Sequence, residues 1–194
     1  LAKEKKKFVY KEIKKGGRAS EFEDALNWLL NCGLVYKIAR TTLPKIPLNS
    51  CDGREAFKLY MLDTGLLSAK ANIDLKTFFE PGAAVFSDFQ GALTEQYVLQ
   101  ELQVSGGLPV FYWGRANGGA EVDFIIQFEN EIIPLEVKAA LRTKAKSLKE
   151  YIKQYQPARA LRVSLKNYGR GQNLYSIPLY LISSFPDILK RDVS

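Results

Sequence analysis

The chain of 194 residues contains no histidine. Ser-His-Asp and Cys-His catalysis, His-bearing zinc sites and histidine-based pH switching are therefore excluded. Its two cysteines, Cys32 and Cys51, are too far apart for a CxxC pair and too few for a disulfide framework. No apolar run approaches the ~18 residues of a membrane span, and the opening lysines lead into no apolar signal core. No GxxxxGK[ST] loop occurs, so the chain itself cannot cradle nucleotide phosphates in the manner of a P-loop. What is present is an ordinary folding composition, 46% hydrophobic and 25% charged, which suits one large domain or two small ones. The expectation is a soluble, cytoplasmic protein with no membrane partner.

The net charge of +7 is unevenly spread. Residues 1–18 carry eight bases against Glu4 and Glu12, and residues 137–170 carry ten against Glu150 alone. Between them residues 19–136 are acidic, with sixteen acids against eight bases. Segregation of this kind is an electrostatic footprint for phosphates, with a solvated surface as the alternative.

The spacing predicts a basic helix over residues 3–15 and a capping box at Ser20-Glu21-Phe22-Glu23. Behind the box, Phe22, Ala25, Leu26, Leu29 and Leu30 repeat at helical spacing up to a stop at Gly33. Strands are expected at 34–38 and 57–62, with Asp63 capping a short helix through Leu67. Helix, helix and a two-stranded wing give a winged-helix-like outline for residues 1–72, which either binds DNA or packs against a neighbour. After a mixed connector, a helix is expected over 88–104 and strands at 110–114, 120–128 and 131–139. An amphipathic helix then runs over 144–155, followed by strands near 158–164 and 174–182. The fold class is mixed α/β, with a second unit over 73–194. On the helix over 144–155, Leu148, Tyr151, Ile152 and Tyr155 form the buried face, and Lys146, Lys149 and Lys153 the opposite one.

Glu129-Asn130 reads as a two-residue turn that pairs Phe128 with Glu131. Val122 then faces Val137, Phe124 faces Leu135 and Ile126 faces Ile133, so one face of the hairpin is wholly apolar. On the other face Glu121 lies across from Lys138, and Asp123 across from Glu136. Directly opposed residues have Cβ atoms about 4.5–5.5 Å apart, and like charges there are destabilising. Asp123 against Glu136 therefore calls for a cation between them. Two carboxylates so placed offer oxygen ligands to Mg²⁺ or Mn²⁺, and Lys138 on the same face is placed to touch a scissile phosphate or orient water. Glu95 falls on an apolar helical stripe with Ala92, Leu99 and Leu102, where an acid must be paired or metal-bound. The plain alternatives are a solvated hairpin face with a Glu121–Lys138 ion pair, and a salt-bridged Glu95 at the edge of its stripe. Tyr112 and Trp113 are read as core residues, with base stacking as the alternative.

Glu121-Val122-Asp123-Phe124 followed by Pro134-Leu135-Glu136-Val137-Lys138 resembles the PD-(D/E)XK nuclease-like superfamily, with its restriction-endonuclease-like αβββαβ core. More closely, the chain resembles uncharacterised domains found C-terminal to AAA-type ATPase modules in bacteria and archaea. Arg18–Tyr36, Phe57–Leu67, Gly91–Leu102, Tyr112-Trp113-Gly114-Arg115, Gly119–Lys138 and Ile177–Ile182 carry that resemblance. It implies catalytic roles for Asp123, Glu136, Lys138 and Glu95, with Asp123, Glu136 and Glu95 as metal ligands, and Val122 stands where the signature has proline. It also implies an ATPase module upstream of Leu1. Two functions are then open. One is a Mg²⁺-dependent nuclease domain, with Arg142, Lys144, Lys146, Lys149 and Lys153 clamping the DNA backbone. The other is a non-catalytic DNA- or protein-binding adaptor coupled to the ATPase.

Overall fold

A computed structural model describes residues 19–48, 56–73, 87–105, 107–115, 118–139 and 145–191. The expected basic helix over residues 3–15 lies outside them, as do Arg142 and Lys144. Helix α1 (Ala19–Asn31) turns Leu26 inward, while Ala25 and Trp28 face solvent. It already includes Ser20, the expected cap, whose side chain is outside the described set. Gly33, at φ 74°, ends the helix by letting Gly33 N–H donate to the Leu30 carbonyl and Leu34 N–H to that of Leu29.

Strands β1 (Val35–Thr41) and β2 (Phe57–Met61) form an antiparallel hairpin. Asp63 then caps α2 (Thr64–Lys70), as its position predicts, by accepting from Leu66 N–H at 2.6 Å. Helix α3 (Ser87–Val104) leads into β3 (Val110–Gly114), β4 (Glu121–Phe128) and β5 (Glu131–Lys138). After α4 (Lys146–Tyr155) come β6 (Ala160–Ser164), a two-residue β7 (Gly169–Arg170) and β8 (Leu174–Pro178). A 3₁₀ helix (Leu179–Ser184) and α5 (Phe185–Arg191) follow. The strand expected over 174–182 thus stops at Pro178, whose fixed φ suits the entry of the 3₁₀ helix. Neither β7 nor α5 is anticipated by the sequence pattern.

The eight strands of the described residues make one mixed sheet in the order β2-β1-β3-β4-β5-β6-β8-β7. The hairpin expected as a separate wing is its edge, because β1 pairs parallel to β3 through Arg40↔Tyr112 and Thr41↔Trp113. The end of the outer strand β2 is held by α3. The Gln96 amide accepts from Met61 N–H at 2.9 Å and donates to Met61 O at 2.7 Å, and Gln100 accepts from Thr64 N–H at 3.2 Å. A side-chain amide here protects a strand edge that would otherwise template aggregation.

The sheet is buried on both faces. Val98, Leu99 and Leu102 of α3 pack with Phe124, Ile126, Leu135, Val163, Ile177 and Phe185. On the other face Leu148 and Tyr151 of α4 pack with Trp113, Val122, Ile125 and Ala160. Trp113 meets Tyr151 and Tyr155 edge-on at 5.4 and 6.0 Å, and its indole N–H donates to the Tyr155 hydroxyl at 3.2 Å. Tyr112 and Trp113 are therefore core residues. No helix of the described residues is long and apolar enough to cross a membrane.

Candidate functional site

The site is positioned by an irregularity in β4. Trp113 pairs with Val122, but Phe111 pairs with Ile125, so Asp123 and Phe124 together stand opposite Tyr112. One extra residue in a strand is a β-bulge, which re-aims side chains and bends the strand. Its effect is visible in the packing: Val122 and Ile125 join the α4 core, whereas Phe124 and Ile126 join the α3 core.

The β4–β5 ladder follows the expected register from Phe128↔Glu131 to Phe124↔Leu135. There it ends. In place of the next rung, Asp123 Oδ2 accepts from Val137 N–H at 2.9 Å. Beyond this point β5 pairs with β6, through Leu135↔Leu161 to Lys138↔Ser164. The expected facing pairs Val122–Val137, Asp123–Glu136 and Glu121–Lys138 are thus absent from the ladder. The bulge has shifted β4 by one residue, and the Asp123 carboxylate closes the seam where the two strands part.

Asp123 belongs to a cluster on the α3 side. Lys58, on β2, forms an ion pair with Glu121 on β4 at 2.6 Å, and its ammonium lies 4.9 Å from the centre of the Tyr112 ring. Glu95, 7% exposed, projects from α3 and accepts from the Tyr60 hydroxyl at 3.4 Å. Burial alone would push the Lys58 ammonium down, but Glu95, Glu121 and Asp123 outweigh it and hold the group above its ordinary value. Burial, followed by the same acids with Glu95 foremost, raises the Tyr60 phenol well above its usual range. Burial and Glu121 push Tyr112 up to about 12, against Lys58 and Arg40. Glu95 therefore points inward, as its stripe predicts, and the cluster supplies its company. Lys58 and Tyr60 are the residues that sequence reasoning missed; the alternating pattern Phe57-Lys58-Leu59-Tyr60 was their only signal.

Glu136 and Lys138 are held differently. Lys138 Nζ bonds to Glu136 Oε1 at 2.5 Å, and Glu136 is 5% exposed. Leu135 and Val137 on either side of Glu136 belong to the α3 core, so strand alternation turns Glu136 and Lys138 toward the α4 side. There Glu136 is in register with Arg162, which donates to Ser176 Oγ at 2.6 Å. The four residues are thus divided between two sets of partners, Asp123 and Glu95 with the β2 residues on one side of the sheet and Glu136 with Lys138 on the other. Among the described residues no group of three or more His, Cys, Asp or Glu is placed to hold a metal ion. Mg²⁺ is held in a near-octahedral shell of oxygens at about 2.0–2.1 Å; here Asp123 accepts from the Val137 amide, Glu95 from the Tyr60 hydroxyl and Glu136 from the Lys138 ammonium.

On α4, Lys146, Lys149 and Lys153 are exposed, opposite the buried Leu148 and Tyr151. Glu150 interrupts that basic face but is itself bonded to Arg115 at 3.2 Å.

The class this defines is a mixed α/β protein whose single sheet encloses an acid cluster around a buried lysine. Two family models match it, both domains of unknown function: DUF8612 over residues 1–77 and DUF4143 over residues 90–182. Among solved structures, it is similar to the crystal structure of protein VC1899 from Vibrio cholerae at 13% identity and a TM-score of 0.33. The match covers 95% of this chain and 45% of that one, so this chain spans under half of that protein's length. No curated protein matches the sequence.

Proposed function

We propose that this chain is a nucleic-acid-associated module that works with an AAA-type ATPase and binds the DNA backbone without cleaving it. The match of residues 90–182 to DUF4143, a domain associated with AAA-type ATPases, supports the coupling. The observation that carries the binding reading is the division of α4. Leu148 and Tyr151 anchor the helix while Lys146, Lys149 and Lys153 stand in solvent on one face. Ammonium groups repeated along an anchored helix can track successive phosphates, which positions a protein on DNA without reading sequence. The test is fluorescence anisotropy with duplex and single-stranded DNA. Steep salt dependence is expected, with weaker binding in Lys149→Ala/Lys153→Ala and unchanged binding in Asp123→Asn. Binding that ignores both lysines overturns this reading.

A Mg²⁺-dependent phosphodiesterase at Asp123, Glu136, Lys138 and Glu95 is the second reading. It is favoured by the burial of Asp123 and Glu136, each 5% exposed, and by the Lys138 ammonium on Glu136. It requires the strand ends to rearrange so that the acids converge. Plasmid cleavage with Mg²⁺ or Mn²⁺, lost in Asp123→Ala and Lys138→Ala variants that keep their fold, is the result it demands.

A further inference from the structure

We infer that Lys58 is the resident cation of the acid cluster on the α3 side, an ammonium built into the chain among Glu121, Glu95 and Asp123, of which the nuclease-like resemblance gives the last two metal-ligand roles. The inference deepens the non-catalytic part of the proposed function and rests on it. Three observations converge. Lys58 is 8% exposed and 2.6 Å from Glu121, so it is a desolvated ion with an ionic partner. The Tyr112 ring beneath it adds a second, cation–π stabilisation that an apolar residue could not receive. Glu95 reaches the same strand through the Tyr60 hydroxyl at 3.4 Å, and Glu95 and Asp123 join Glu121 in holding the Lys58 ammonium above its ordinary value.

The connectivity gives the ammonium a second task. Lys58 lies on the outermost strand β2, and Glu121 lies on β4, with β1 and β3 between them in the sheet order. Tyr60, two residues along β2, donates to Glu95 of α3. The hairpin β1–β2, at the edge of the sheet, is thus tied to β4 through Lys58–Glu121 and to α3 through Tyr60–Glu95. A lysine from the hairpin makes the hairpin itself the group that neutralises the acids of β4 and α3.

The test is thermal and chemical denaturation of the chain with and without Mn²⁺, in wild type, Lys58→Met, Lys58→Arg and Asp123→Asn. Wild type is expected to melt at the same temperature with or without millimolar Mn²⁺. Lys58→Met should lower the ratio of folded to unfolded protein by about a hundredfold or more, the range for breaking a buried ion pair. Mn²⁺ should recover part of that loss, and Lys58→Arg should retain most of the stability, because charge and not shape is what the acids require. A wild-type melting temperature raised by Mn²⁺, with the rise abolished by Asp123→Asn, overturns the inference, and so does a Lys58→Met variant as stable as wild type. The wild-type and Asp123→Asn titrations decide the matter even where Lys58→Met does not fold. DNA anisotropy on the same wild-type protein keeps the two claims apart: loss of the binding reading appears there and leaves the melts unaffected.

Discussion

Replacing Asp123 separates two roles that a single carboxylate can hold. Its Oδ2 accepts the Val137 N–H at 2.9 Å, and both residues are buried. Asp123→Ala removes a charged acceptor and leaves a backbone donor sealed away from water. A hydrogen bond to a charged group is worth about 1.5–3 kcal/mol net, and an orphaned buried donor bears its full desolvation cost, so a loss of about 2–3 kcal/mol is expected. Asp123→Asn keeps an oxygen of the same reach. The charge it removes is one of three acting on Lys58, and Glu95 and Glu121 remain. Its cost should stay under about 1 kcal/mol, since the hydrogen bond weakens from charge-assisted to neutral.

Urea denaturation measures both, with an unchanged m-value as the check that the same surface is exposed on unfolding. Amide hydrogen exchange adds a local reading: the Val137 amide should lose protection in Asp123→Ala and keep most of it in Asp123→Asn. A purely metal-binding carboxylate behaves otherwise, because both substitutions then leave metal-free stability alike. The account of the seam is refuted if Asp123→Asn costs as much as Asp123→Ala, or if Asp123→Ala lies within about 0.5 kcal/mol of wild type, the range typical of surface changes.

Arg159→Met should cost about 2–4 kcal/mol by the same denaturation assay, since the guanidinium donates to Glu131 Oε2 and to the buried Leu189 carbonyl, both at 2.8 Å. Glu131→Gln should cost far less, because Glu131 is partly in solvent and can rehydrate. Tyr112→Phe should be close to neutral at pH 7, because the buried hydroxyl makes no hydrogen bond among the described residues. Its folded-state pKa of about 12 lies above the unfolded value near 10, so the unfolded chain loses that proton first and wild-type stability falls as pH climbs from 10 to 12. Tyr112→Phe should flatten that fall, and an unchanged alkaline profile would contradict the burial assigned to the phenol. For DNA, removing Lys149 and Lys153 together should reduce the slope of log affinity against log salt by about 1.8, or about tenfold less sensitivity between 50 and 200 mM salt.

The hairpin and its partners divide the legible from the illegible along a physical line. Phe124, Ile126 and Phe128 alternate against Ile133 and Leu135, and the two-residue turn has Glu129 at φ 53°, so local pattern alone sets a register that the ladder keeps for five pairs. The next pair fails because the bulge is a property of β3 against β4, two strands whose pairing is absent from any window that contains β4 alone. No residue type marks the extra position; Asp123 and Phe124 look like ordinary steps of the alternation. The inward turn of Glu95 was readable for the same reason as the register, since Val98, Leu99 and Leu102 share its helix and are all buried. Its partner was not, because Lys58 comes from a strand that the pattern presents as a separate wing. A hairpin destined for the edge of a neighbouring sheet and one destined to stand alone carry the same alternation; only the pairing of Arg40 with Tyr112 and of Thr41 with Trp113 distinguishes them. An acid on an apolar stripe thus announces that a partner is needed, while the topology of the whole sheet decides which distant strand brings one to it.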